Sequence, residues 1–171
     1  TAGFVGEELK RLAGKTGYGC DFIDLKEGVS RINIKMKDFD GTEINGMGPK
    51  IDEEALDALM EKLDRLTEGD TLVLAGSIPA SMPSDTYRHI LELLAGREIR
   101  FVVDATKELL LNVLPYHPFL IKPNNHELGE LFGVTLKTKE EVVPYAKKLL
   151  AMGAGNVLVS MAGEGAVLID E

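Results

Sequence analysis

The sequence predicts an α/β fold with a mostly parallel central sheet covered by helices on both faces and a small β-hairpin flap set apart from it. Three observations carry this prediction. Short apolar runs such as Thr71–Ala75, Ile99–Val103 and Asn156–Ser160 alternate with amphipathic stretches of helical period, the ordering of buried strands joined by helices. One segment, residues 29–46, instead alternates apolar and polar residues, the pattern of a strand with one wet face. Finally, 171 residues with a 44% apolar share suit one domain or most of one, with an aliphatic core because Trp is absent.

Each element has its local reason. Residues 4–15 read as a helix stopped by Gly17. From Ile32 to Lys37 every second residue is apolar; Asp38-Phe39-Asp40-Gly41 supplies a turn, and Thr42–Asn45 returns as a second strand. The chain thus divides into residues 1–28, the start of the α/β core, residues 29–46, a lid hairpin, and residues 47–171, the rest of the core. Asp52 caps a helix whose first turn carries Glu53 and Glu54, where the helix dipole favours negative charge. Leu56, Leu59, Met60, Leu63 and Leu66 form its apolar stripe. Thr71–Ala75 follows as a buried strand. Ser84 opens another helix, with Ile90, Leu91 and Leu94 facing inward. Ile99–Val103 ends at Asp104, and Phe119–Ile121 ends at Lys122-Pro123-Asn124. Thr138 and Glu141 form a capping box for the next helix. Asn156–Ser160 and Ala166–Ile169 are the last strands.

Composition narrows the classes of partner. The formal charge of −9 repels the phosphates of nucleic acids and anionic lipids, so neither is expected as a partner. Cys20 is the sole cysteine, so no intrachain disulfide can form. This fits a reducing, cytoplasmic setting, with Cys20 as an inert small hydrophobe. No apolar run approaches the roughly 18 residues a membrane helix needs. Thr1 and Glu171 both abut structured-looking sequence, and the fold is expected to be incomplete at both ends.

In parallel α/β sheets ligands bind beyond the carboxyl ends of the strands, and four such ends carry polar or flexible residues. Gly76 and Ser77 follow the first core strand and allow close approach of backbone N–H groups to an anion, or form a plain turn. Asp104 suits a metal or a water, or caps the following helix. Lys122-Pro123-Asn124-Asn125-His126-Glu127 places Asn124 and Glu127 three apart on a first helical turn. There Glu127 can hold Mg²⁺ through water or close a cap with Asn124, while His126 points to solvent. Ser160, Gly163 and Gly165 surround a turn between two strands. Gly14-Lys15-Thr16 ends like a phosphate-binding loop, but Leu9 stands where that loop needs a glycine.

The order of these segments is more specific than any one of them. Gly-Phe-Val-Gly, Ser-Arg-Ile-Asn-Ile-Lys, Ala-Gly-Ser-Ile-Pro, Val-Val-Asp-Ala-Thr, Lys-Pro-Asn-Asn-His-Glu-Leu and Val-Ser-Met-Ala-Gly-Glu-Gly-Ala follow in turn. This series resembles the phosphofructokinase-B branch of the ribokinase-like carbohydrate kinases over essentially the whole chain. The resemblance implies a three-layer ribokinase-like fold and ATP-dependent phosphorylation of fructose 1-phosphate. Tagatose-6-phosphate or fructose 6-phosphate kinases are the neighbouring alternatives. It implies that Arg31 and Asn33 on the flap, with Gly76 and Ser77, contact the sugar phosphate. Lys122, Asn124, Ser160, Gly163 and Gly165 are implied for ATP, and Glu127 and Asp104 for Mg²⁺. A homodimer through the flap is a further implied partner. Where the family often has Gly, this chain has Ala162; after Asp104 it has Ala105-Thr106-Lys107 in place of Ser-Gly. The family's Gly-Ala-Gly-Asp element, with the catalytic base, is expected beyond Glu171, so no catalytic residue is assigned within the sequence. A non-catalytic module binding a sugar phosphate or nucleotide is the reading from a different class.

Overall fold

The computed structural model of the chain describes residues 1–36, 42–79, 81–105 and 107–170. They form two compact units: residues 1–62 with 79–82, and residues 63–78 with 83 onward. The expected turn at Asp38–Gly41 lies outside the described residues.

In the first unit, α1 (Gly3–Ala13) carries Lys10 and Arg11 in its last turn, where the dipole favours cations. Its entry is pinned by the Ala2 N–H, which donates to Ser30 Oγ at 2.8 Å. β1 (Asn33–Met36) and β2 (Thr42–Asn45) pair antiparallel as a sheet of their own, with Ile34 opposite Ile44 and Lys35 opposite Glu43. Lys35 and Glu43 close an ion pair at 2.9 Å. The expectation of one dry face is not met: Ile32, Ile34 and Ile44 are each at least 50% exposed. A two-stranded ribbon has no layer of its own to bury them against. Cys20 is likewise exposed and not packed. α2 (Glu53–Leu63) begins as predicted, Asp52 Oδ1 accepting the Ala55 N–H at 2.9 Å.

The second unit contains β3 (Thr71–Ala75), α3 (Thr86–Leu93), β4 (Arg100–Asp104), α4 (Lys107–Val113), β5 (Leu120–Ile121), α5 (Asn125–Phe132), α6 (Lys139–Ala151), β6 (Val157–Ser160) and β7 (Ala166–Ile169). The five strands lie in sequence order. β3 through β6 are parallel, and β7 returns antiparallel to β6. Every parallel step goes the same way across the sheet. With the right-handed crossover such connections take, α3–α6 must all lie on one face.

Burial agrees. On that face Leu74, Phe101, Val103, Ile121, Val157 and Val159 are buried, as are Ile90, Leu91, Leu110, Val113, Leu128, Val142 and Leu149 of the helices. Each fully buried Leu or Val contributes about 1.5–3 kcal/mol. The other face carries Val73, Val102, Leu120, Leu158 and Leu168 by register, and Val73 and Leu168 are 58% exposed. This corrects the expectation for Thr71–Ala75. It is the outermost described strand of the sheet, and only Leu74 is buried. The helix expected from Ser84 starts at Thr86, after a Thr86 Oγ–H bond to the Pro83 carbonyl at 2.6 Å. Phe119, expected in a strand, precedes β5 and is 48% exposed.

Candidate active site at the strand ends

The carboxyl ends of β3, β4, β5 and β6 lie side by side, and the second unit's predicted residues follow one another along that edge. After β3, Gly76 adopts φ +97°, a conformation glycine alone takes at little cost. Its N–H donates to the Asp104 carbonyl at 3.3 Å, extending the β3–β4 ladder by one rung. The Tyr87 hydroxyl, from the first turn of α3, donates to the Gly76 carbonyl at 3.0 Å. Gly76 and Ser77 are both exposed.

Asp104 is the last residue of β4. Its Oδ2 lies 3.0 Å from Lys122 Nζ, one strand over, and both side chains are a little under two-fifths exposed. At that exposure an ion pair contributes little stability, about 0–1 kcal/mol. Its interest is that it gathers opposite charges at the edge where ligands bind. The Lys122 backbone is held in turn by its N–H bond to the Val103 carbonyl at 3.0 Å. Next along the row, the Ser160 N–H donates to the Pro123 carbonyl at 3.1 Å, and Asn124 and Ser160 form a single parallel bridge.

Asn124 caps α5. Its Oδ1 accepts the Glu127 N–H at 2.8 Å, and Glu127 Oε2 accepts the Asn124 N–H at 2.8 Å. Of the two readings open for this pair, the cap is therefore realised. It leaves Glu127 Oε1 without a protein hydrogen-bond partner among the described residues, so the cap and a second role are compatible. His126 is exposed, as expected.

Beyond Ser160 the chain makes a 3₁₀ turn over Ala162–Glu164. The Met161 N–H donates to the Gly165 carbonyl at 2.8 Å. Gly165 sits at φ +89°, and Ala162 at φ +47°. A Cβ at Gly163 would meet nothing within 4 Å, whereas one at Gly165 would come within 3.9 Å of Lys139 Nζ.

Thus Gly76, Ser77, Asp104, Lys122, Asn124, Glu127, Ser160, Gly163 and Gly165 share one edge of one unit. Arg31 and Asn33 belong to the other unit. There Asn33 opens β1 opposite Asn45, and the exposed Arg31 packs its stem beside Gly46 and Gly48. Among the described residues no group of three or more His, Cys, Asp or Glu is arranged to cage a metal. No helix is long and apolar enough to cross a membrane, again among the described residues. A groove of about 740 Å³ between α4 and α5 is lined by Leu109, Leu111, Asn112 and Leu131 among others and holds none of the predicted residues. Sequence reasoning missed Tyr87, because a contact from a helix to a turn eleven residues upstream has no periodic signature.

A mostly parallel sheet with a charged and glycine-bearing carboxyl edge, plus a separate antiparallel hairpin, defines a ribokinase-like α/β protein. Residues 2–171 match the sequence model of the pfkB family carbohydrate kinases, and the chain belongs to that family. It is 49% identical over 166 residues to the 1-phosphofructokinase of Bacillus subtilis, covering 97% of this chain and 54% of that protein. It is 34% identical over 171 residues to the D-tagatose-1-phosphate kinase of Bacillus licheniformis, covering 99% of this chain and 56% of that one. A solved structure from Staphylococcus aureus superposes with a TM-score of 0.80 at 38% identity, over 100% of this chain and 56% of its own. The chain spans about half the length of the curated relatives it matches.

Proposed function

We propose that the protein to which this sequence belongs transfers the γ-phosphoryl group of ATP to a hydroxyl of fructose 1-phosphate, giving fructose 1,6-bisphosphate. The observation that carries this reading is the unbroken row Asp104–Lys122–Asn124–Ser160 along the strand ends, with Glu127 closing the cap behind it. In the reaction the sugar oxygen forms a bond to the γ-phosphorus, the bond to ADP breaks, and the hydroxyl proton leaves to a base. Such transfers depend on alignment and charge neutralisation more than on covalent chemistry.

The roles follow from chemistry and position. Lys122 supplies positive charge for the nucleotide phosphates. Ser160, Gly163 and Gly165 offer a hydroxyl and side-chain-free backbone beside them, with Asn124 fixing the helix start. Glu127 and Asp104 are hard oxygen donors of the kind that hold a hydrated Mg²⁺, and Glu127 Oε1, which has no hydrogen-bond partner among the described residues, fits that use. The ion, when bound, neutralises phosphate charge. Gly76 and Ser77 face the sugar phosphate. Arg31 is suited to a sugar phosphate, since a guanidinium grips two phosphate oxygens at once, and Asn33 assists it. The half-exposed Ile32, Ile34 and Ile44 suit a hairpin that pairs with a second copy. A cytoplasmic setting fits both substrates.

The names of the relatives favour a ketohexose with its phosphate on C1. Fructose and tagatose differ only at C4, so tagatose 1-phosphate is the closest competing substrate. The test is ADP release by the whole enzyme with fructose 1-phosphate, tagatose 1-phosphate and fructose 6-phosphate. The expected ranking places fructose 1-phosphate first in kcat/KM, with Arg31→Ala raising its KM. Tight binding of a sugar phosphate without any ADP release would instead favour the binding module.

A further inference from the structure

We infer that Tyr87 is a positioning residue for the sugar phosphate: its hydroxyl holds the Gly76 carbonyl and thereby fixes the direction of the Ser77 peptide N–H. The inference rests on the reading that Gly76 and Ser77 line the sugar site.

The argument is geometric. The Gly76 carbonyl and the Ser77 N–H belong to one planar trans peptide and point in opposite directions. Whatever holds the carbonyl therefore aims the N–H. Gly76 is exposed, at φ +97°, and a Cβ there would meet nothing within 4 Å. The Gly76 N–H, in the preceding peptide, donates to the Asp104 carbonyl at 3.3 Å, and Tyr87 Oη donates to the carbonyl of this peptide at 3.0 Å. The first belongs to the sheet ladder; the second fixes the peptide beyond it.

Tyr87 is a firm anchor because α3 is. Its neighbour Thr86 is 5% exposed, and Ile90 and Leu91, on the same helix, are 3% and 0% exposed. Tyr87 itself is partly buried. Burial raises its phenol pKa, and the negative charge of nearby Asp104 raises it further, so the hydroxyl keeps its proton and its donor role at neutral pH. An ordinary structural tyrosine would stabilise α3 and leave ligand affinity alone; here its one hydroxyl bond is spent on a turn assigned to substrate.

The experiment compares wild-type enzyme with Tyr87→Phe and Ser77→Ala. It reads KM for fructose 1-phosphate and for ATP, the thermal midpoint, and the ¹⁵N-amide shift of Ser77. Tyr87→Phe should raise the sugar-phosphate KM about fivefold, the loss of one neutral hydrogen bond. The ATP KM and the midpoint should not move, and the Ser77 amide should shift. If Tyr87→Phe leaves the sugar KM at the wild-type value while Ser77→Ala raises it, the Tyr87 role is wrong and the site reading stands. If neither substitution changes it, the Tyr87 role is wrong and the Ser77 hydroxyl takes no part in sugar binding. A parallel rise in both KM values with a lowered midpoint makes Tyr87 merely structural. Should wild type turn over no sugar phosphate, titrating the Ser77 amide with fructose 1-phosphate decides: equal response in wild type and Tyr87→Phe overturns the inference, and a weaker response in the variant upholds it.

Discussion

At φ +47°, Ala162 occupies a backbone region that costs an L-residue roughly 1 kcal/mol or more. Glycine at the same place removes the clash between Cβ and the following carbonyl. Ala162→Gly is therefore expected to stabilise the fold by about 1 kcal/mol, less what the freer unfolded chain takes back. Urea unfolding checks this through a higher midpoint at unchanged slope; a lower midpoint would mean the turn is not strained at Ala162. The sequence already marked position 162 as one where the family often carries Gly, and the positive φ supplies the physical reason. Gly163 is different. It has neither a positive φ nor a neighbour for a Cβ to strike, so conformation does not explain a glycine there.

At the scale of the element, α5 carries a capping box and, in the proposed function, a metal contact, and substitutions separate the two. A glutamine at N3 can still accept the Asn124 N–H, because a capping box works with Glu or Gln. Glu127→Gln should thus leave thermal stability within a degree or two while lowering kcat and raising the Mg²⁺ concentration needed for half-maximal rate. Asn124→Ala removes the cap itself and should cost about 1 kcal/mol. Equal destabilisation by both, with unchanged kinetics in Glu127→Gln, would leave Glu127 with capping alone. Both capping boxes, at Asn124 and at Thr138, were legible because a cap is written within four residues of sequence. Strand limits were read less well. β5 is two residues long, and nothing local separates Phe119 from the strand it precedes. The ends of short strands are set by where a neighbour offers hydrogen bonds.

Across the whole molecule, what the sequence hid is what depends on register. Alternating strands and helices announced the parallel sheet, and the strand ends named the candidate residues that share its edge. The pairing of Asp104 with Lys122 needs β4 and β5 to be adjacent and level, which no local pattern states. That α3–α6 share one face is likewise set by register, because it follows from every parallel crossover stepping in one direction. This architecture grades protection. Amides of Val103 and Ile121, in central strands whose side chains are fully buried, should exchange slowest with deuterium. Those of Thr71–Ala75, at the edge of the sheet among the described residues, should exchange markedly faster when this chain is measured by itself. Uniform protection across β3, β4 and β5 would contradict the strand order.

The Asp104–Lys122 contact has a consequence for selectivity. A lysine already facing its own counter-ion offers somewhat less to a passing anion, because chloride or inorganic phosphate must compete with the aspartate. A ligand that re-houses both charges at once profits most. Removing the internal rival, as in Asp104→Asn, should tighten the binding of bare phosphate by a few-fold at most, seen by calorimetry.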